Sequence, residues 1–170
     1  AYKQPILLPG NWRRLYIKEG DIMNEVAKLY QLVVNRELAK SKNEVLDVVR
    51  IKKKLLAFLQ SVSELGEIAH IYTFWEDDST IHRNELLDAY TSGMTMLMSV
   101  AFDMRIDEIK KYEEIPDRND LVDLLLKIDE DIIILKNSFK PIDLENALND
   151  YFHLGFLFGF SIDEIINQLS

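Results

Sequence analysis

The chain contains no cysteine, which removes disulfide frameworks and thiolate metal sites together and gives no sign of an oxidising compartment. The expected setting is the cytoplasm. Glycine and proline are sparse, at six and four residues, and no glycine-rich phosphate loop is found among them. No uninterrupted apolar stretch is long enough for a bilayer. The run Pro5-Ile6-Leu7-Leu8-Pro9 is too short and too proline-bounded for a signal peptide. The chain is therefore expected to be neither secreted nor membrane-spanning. Basic charge is scarce as well, with 20 Lys and Arg against 29 Asp and Glu and a net charge of -9. Such a surface repels a nucleic-acid backbone unless a basic patch is concentrated locally. Arg13-Arg14, Lys52-Lys53-Lys54 and Lys110-Lys111 are short and adjoin acids, so they read as solvated helix faces. No nucleic-acid partner is expected. A free nucleotide stays compatible, because Mg²⁺ supplies the missing positive charge. No two of His70, His82 and His153 lie three to five residues apart, which excludes a spaced histidine metal site.

What is present is helical periodicity. With 48% hydrophobic content over 170 residues, the chain is long enough for a real core. Residues 1–170 read as one domain, with 1–20 as an N-terminal extension. Ile22, Val26, Leu29, Val33 and Leu38 mark a first helix over 21–39, closed by the break at Ser41-Lys42-Asn43. Val45, Val48, Val49, Leu55, Leu56, Leu59, Val62, Leu65, Ala69 and Tyr72 form one apolar stripe, which predicts a long helix over 43–75. The polar run 76–80 reads as a loop. Next comes a helix over 84–104, apolar on nearly every side after Gly93, which belongs at the centre of a bundle. Met94, Met96, Met98 and Met104 read as adaptable packing within and after it. Helices over 119–137 and 143–158 follow, and Ser161 with Glu164 is a capping box opening a last helix over 162–169. No stretch alternates with period two. The fold class is all-α, a bundle of about six helices.

Four stretches resemble the dimeric all-α dUTPases, relatives of the all-α nucleoside triphosphate pyrophosphohydrolases. They are 29–35 (Leu-Tyr-Gln-Leu-Val-Val-Asn), 53–59 running on to Phe74-Trp75, 86–93 (Leu-Leu-Asp-Ala-Tyr-Thr-Ser-Gly), and 151–160 with its capped final helix. The resemblance implies a Mg²⁺-dependent cleavage of dUTP or a related triphosphate. In that reaction, carboxylates from two facing helices hold the metal against the phosphates. It also implies a homodimer, and a deoxynucleotide as the small-molecule partner. In the family one helix carries Glu-x-x-Glu and the facing one Glu-x-x-Asp, since residues three apart share a helix face.

This chain departs from that pattern. Without gaps, the resemblance puts Ser61 and Glu64 at the first acid pair and Ala89 and Ser92 at the second. Only Glu64 is an acid, with Glu67 and Asp88 as displaced candidates. Glu64-Leu65-Gly66-Glu67 also reads alone as the acidic motif, so the register stays open. The candidate metal residues are Glu64, Glu67 and Asp88. Exposed surface acids are the plain alternative for all three. The candidate nucleotide contacts are Gln31, Asn35, Phe74 and Trp75, against a structural amide pair and core or interface aromatics. The expected function is a dUTPase-like, nucleotide-hydrolase-fold protein with a degenerate site, either a pseudoenzyme or a weakened hydrolase. Two alternatives stay open: an active enzyme whose displaced acids hold Mg²⁺, and a protein-interaction module unrelated to nucleotides.

Overall fold

A computed structural model describes residues 22–40, 47–107, 109 and 120–170. The expected extension over 1–20 lies outside the described residues, as do Arg13, Arg14, Lys110 and Lys111. Among the described residues there are six helices and no strand: α1 (Ile22–Lys40), α2 (Val48–Ile68), α3 (Arg83–Asp103), α4 (Leu121–Ser138), α5 (Pro141–Leu157) and α6 (Ile162–Leu169). None of them is long and apolar enough to cross a membrane.

Local chemistry sets most of the boundaries. Asp47 accepts from the Val49 and Arg50 amides at 3.0 and 3.3 Å, and Asp120 from those of Val122 and Asp123 at 2.9 and 3.1 Å. Each carboxylate satisfies amides that the first helical turn leaves without partners. Pro141 opens α5, where its missing N–H costs nothing. The capping box expected at Ser161 and Glu164 forms, and α6 has the expected bounds.

The long helix expected over 43–75 is shorter than its apolar stripe. It ends at Ile68, because His70 adopts the left-handed conformation with φ 53°. The His70 amide then donates to Glu67 O at 3.0 Å and the Ile71 amide to Gly66 O at 2.8 Å. This is the Schellman termination, formed without the glycine that usually announces it. Arg105, with φ 60°, ends α3 the same way, its amide and that of Ile106 donating to Phe102 O and Ala101 O. Residues 69–75 are consequently loop. Tyr72 folds back over Gly66, where an added Cβ would lie 2.5 Å from its ring, and its hydroxyl donates to Ser63 O at 2.9 Å.

α3 is the central element. It packs against α1, α2, α5 and α6, while α4 covers α2 and α5. Met94, Leu97, Met98, Val100, Ala101 and Phe102 are all buried, as a helix apolar on every side requires. Met96 and Met104 are half-buried against the same core. The α3–α5 contact is closed by a reciprocal tyrosine pair. Tyr90 Oη donates to Tyr151 O at 2.9 Å and Tyr151 Oη to Tyr90 O at 2.7 Å, with the rings stacked 4.6 Å apart. The two hydroxyls occupy the space above Gly155 and Gly93, each 2.2 Å from where a Cβ would stand. Glycine at both positions is what lets the tyrosines lie flat between the helices.

Candidate functional site

α2 and α3 lie side by side, and their crossing falls on the positions the resemblance singles out. A Cβ at Gly93 would stand 3.6 Å from Ser61 Cβ. Ser61 is half-buried and its hydroxyl donates back to Ala57 O at 3.2 Å. Ala89 is buried and Ser92 exposed on the facing helix. These three side chains bring no negative charge to the seam.

Beside the seam, α1, α2, α3 and α6 enclose a cleft of about 540 Å³. From α1 it is lined by Arg36, Glu37 and Lys40, and from α2 by Lys54. α3 contributes Asp88 and a row of hydroxyls, Thr91, Ser92, Thr95 and Ser99, and α6 closes one end with Gln168 and Leu169. The spacing of the α3 residues follows from helical geometry, since residues three and four apart share a face.

Two of the lining residues, Glu37 and Lys54, belong to a four-residue ion cluster. Asp103 accepts from Arg50 at 2.7 Å and faces Lys54 Nζ at 2.8 Å, while Glu37 stands 3.4 Å from Lys54 and 3.7 Å from Arg50. Lys54 also donates to Ser99 Oγ. Lys54 is thus no solvated-face lysine, unlike its exposed neighbours Lys52 and Lys53. Two carboxylates from α1 and α3 meet two cations from α2, and the charges cancel within the cluster.

The expected site residues separate. Asp88 lines the cleft and accepts from Gln168 Nε2 of α6. Glu64 and Glu67 are exposed on α2 and do not line it. Glu67 lies instead toward the 70–76 loop. There, desolvation first, then the Glu67 and Glu76 carboxylates, push the Tyr72 phenol above its ordinary range. Among the described residues, no three His, Asp or Glu side chains gather in a metal-holding group. Gln31 and Asn35 pair with one another, Gln31 Nε2 donating to Asn35 Oδ1 at 2.8 Å, and neither lines the cleft.

Phe74 and Trp75 are 92% and 62% exposed on the loop after α2, with rings 5.0 Å apart in an edge-on arrangement. They wall no part of the cleft and are not core. The loop is organised by His70, whose Nδ1 meets Thr73 Oγ1 and Glu76 Oε2 at 3.2 and 3.1 Å and whose Nε2 donates to Thr80 O at 2.9 Å.

Sequence reasoning did not find Glu37, Arg50 and Asp103. Lys54 reads with Lys52 and Lys53 as a solvated helix face, and its acidic partners lie on other helices, far off in sequence.

A family model described as dUTPase matches residues 21–169. Comparison with curated proteins and with solved structures gives no match. The match runs from the start of α1 to the end of α6, and so takes in every helix of the bundle together with the α2–α3 seam. The chain belongs to the dUTPase family, a family of nucleotide hydrolases.

Proposed function

We propose that this protein keeps the nucleotide-hydrolase fold while its Mg²⁺-dependent hydrolysis is lost or much weakened. The observation that carries the reading is the neutrality of the α2–α3 seam, where Ser61, Ala89 and Ser92 occupy three of the four expected ligand positions. Mg²⁺ bound through carboxylates, water and phosphate oxygens demands near-octahedral geometry. A single exposed Glu64 does not supply that. Hydrolysis of a phosphoanhydride also needs charge neutralisation on the phosphates, for which the described lining of the cleft offers the Arg36 and Lys40 cations. The reading therefore retains a nucleotide as the small-molecule partner and makes Mg²⁺ a cofactor of the active alternative. The lack of cysteine suits a cytoplasmic setting.

A homodimer is part of the same proposal. α2 exposes Val49 and Leu56, and α4, which packs on α2, exposes Leu126 and Ile133. Apolar residues gathered on packed helices favour a partner surface. Light scattering at micromolar concentration is expected to give twice the chain mass, and a monomer removes this part.

The test of the main reading is pyrophosphate release from a panel of deoxynucleoside and nucleoside triphosphates with Mg²⁺ or Mn²⁺. The expected result is little or no turnover. Robust turnover abolished by Glu64→Ala or Glu67→Ala establishes the active alternative instead.

A further inference from the structure

The cleft contains a hydroxyl that the protein does not satisfy. Thr91 is 4% exposed, its Oγ1 is buried without a hydrogen-bond partner, and it lines the cleft. Native interiors rarely leave such a group unpaired, because the desolvation cost is not recovered. The neighbouring charges point the same way. The cluster of Glu37, Arg50, Lys54 and Asp103 is neutral within itself. That leaves Arg36 and Lys40. Arg36 donates to the uncharged Leu169 carbonyl, and among the described residues neither side chain meets a carboxylate. The other acid of the lining, Asp88, accepts from the neutral Gln168 amide and keeps its charge, so Arg36 and Lys40 exceed it by one. The cleft is therefore locally positive on a chain of net charge -9, and its volume of about 540 Å³ suits a small molecule.

The groups left over are donors. Guanidinium and ammonium groups donate only, and the Ser92 and Thr91 hydroxyls can each donate to an oxyanion. We propose that the cleft binds a phosphate-bearing small molecule without a divalent metal. Arg36 and Lys40 supply the positive charge, and Thr91 and Ser92 donate to phosphate oxygens. This rests on the reading that the carboxylate cage is lost, since cations of the protein then do for the phosphate what a metal ion would do elsewhere. The shared chemistry is a phosphate group, free or carried on a nucleotide.

Calorimetric titration of the full chain in EDTA tests it, with inorganic phosphate, pyrophosphate, dUMP and deoxyuridine as probes. The expected result is saturable binding of at least one phosphate-bearing probe and none of deoxyuridine. Tighter binding of dUMP than of pyrophosphate assigns the nucleotide, and the reverse order assigns the free anion. Thr91→Val is expected to weaken binding by about tenfold, the loss of one hydrogen bond to a charged acceptor. Arg36→Gln with Lys40→Gln is expected to weaken it further and flatten its salt dependence. Both residues are exposed, so that variant remains informative even if Thr91→Val fails to fold. Absence of binding in EDTA, binding that requires Mg²⁺, or unchanged affinity in the Arg36/Lys40 variant overturns the proposal. Robust triphosphate turnover would instead refute the lost-cage reading, so the two failures are distinguishable.

Discussion

Substituting Gly93 by alanine tests the tyrosine pair that joins α3 to α5. The added Cβ would stand 2.2 Å from Tyr151 Oη, where ordinary contacts begin near 3.4 Å. The hydroxyl must retreat by over an ångström, which pulls it off Tyr90 O, now 2.7 Å away. Tyr151 is fully buried, so no water replaces the lost partner. The stranded hydroxyl costs about 1–3 kcal/mol and the overpacking a further ~1–3 kcal/mol. Alanine returns about 1 kcal/mol of helix propensity. The net loss is about 1–5 kcal/mol, centred near 3, or a fall in Tm of roughly 2–20 °C for a chain of this size. In a Tyr151→Phe background the nearest atom becomes Cζ, at 3.0 Å, which a small ring shift relieves. There the same substitution should cost under about 1 kcal/mol, a coupling near 2 kcal/mol. Thermal denaturation of the four proteins at one protomer concentration measures the cycle. Equal losses in both backgrounds, or a stabilised single variant, would refute the reasoning.

Gly155→Ala should behave differently, because its Cβ would meet Tyr90 Cζ at 2.4 Å as well as the hydroxyl; Tyr90→Phe is therefore expected to leave the loss in Tm largely unrescued. Asp103→Asn should destabilise by about 2 kcal/mol in chemical denaturation, since Arg50 and Lys54 then share Glu37 alone at 3.7 and 3.4 Å. On the α4–α5 side, burial and then a hydrogen bond with Asp150 push the Asp131 carboxyl up to about 7, against the opposing pull of Lys127. The folded state thus holds a proton that the unfolded chain releases. Its contribution to stability is full below the ordinary carboxylate range and is lost as pH rises through about 7. Asp131→Asn cannot ionise, so the variant's Tm relative to wild type should improve from about pH 4 to about pH 8; a difference that is flat with pH counts against the assignment.

The helices were legible because each needs only local periodicity and a cap. α6 could be read to the residue from Ser161 and Glu164, whereas α2 was overrun to residue 75. Its apolar spacing continues through Ala69 and Tyr72, and the stop signal is a left-handed histidine rather than a glycine. Gly93 was legible as the point after which the central helix turns apolar, but the hydroxyl from α5 that lies against it was not. In the candidate site, Asp88 lines the cleft. The Gln31–Asn35 spacing gave a side-chain pair that lines no part of it. The ion cluster of Glu37, Arg50, Lys54 and Asp103 joins three helices. Only the tertiary packing brings such groups together, so no spacing rule finds them.

Calorimetric titration of the protein with Mg²⁺, alongside a variant carrying Ser61→Glu, Ala89→Glu and Ser92→Asp, tests the central claim most directly. The variant restores carboxylates at the seam where Gly93 meets Ser61, and ions shared across facing helices need those acids. The account predicts no saturable Mg²⁺ binding by the wild-type chain and measurable binding by the variant. Tight wild-type binding that Glu67→Ala abolishes would contradict it, making Glu64 and Glu67 the metal pair of a working hydrolase.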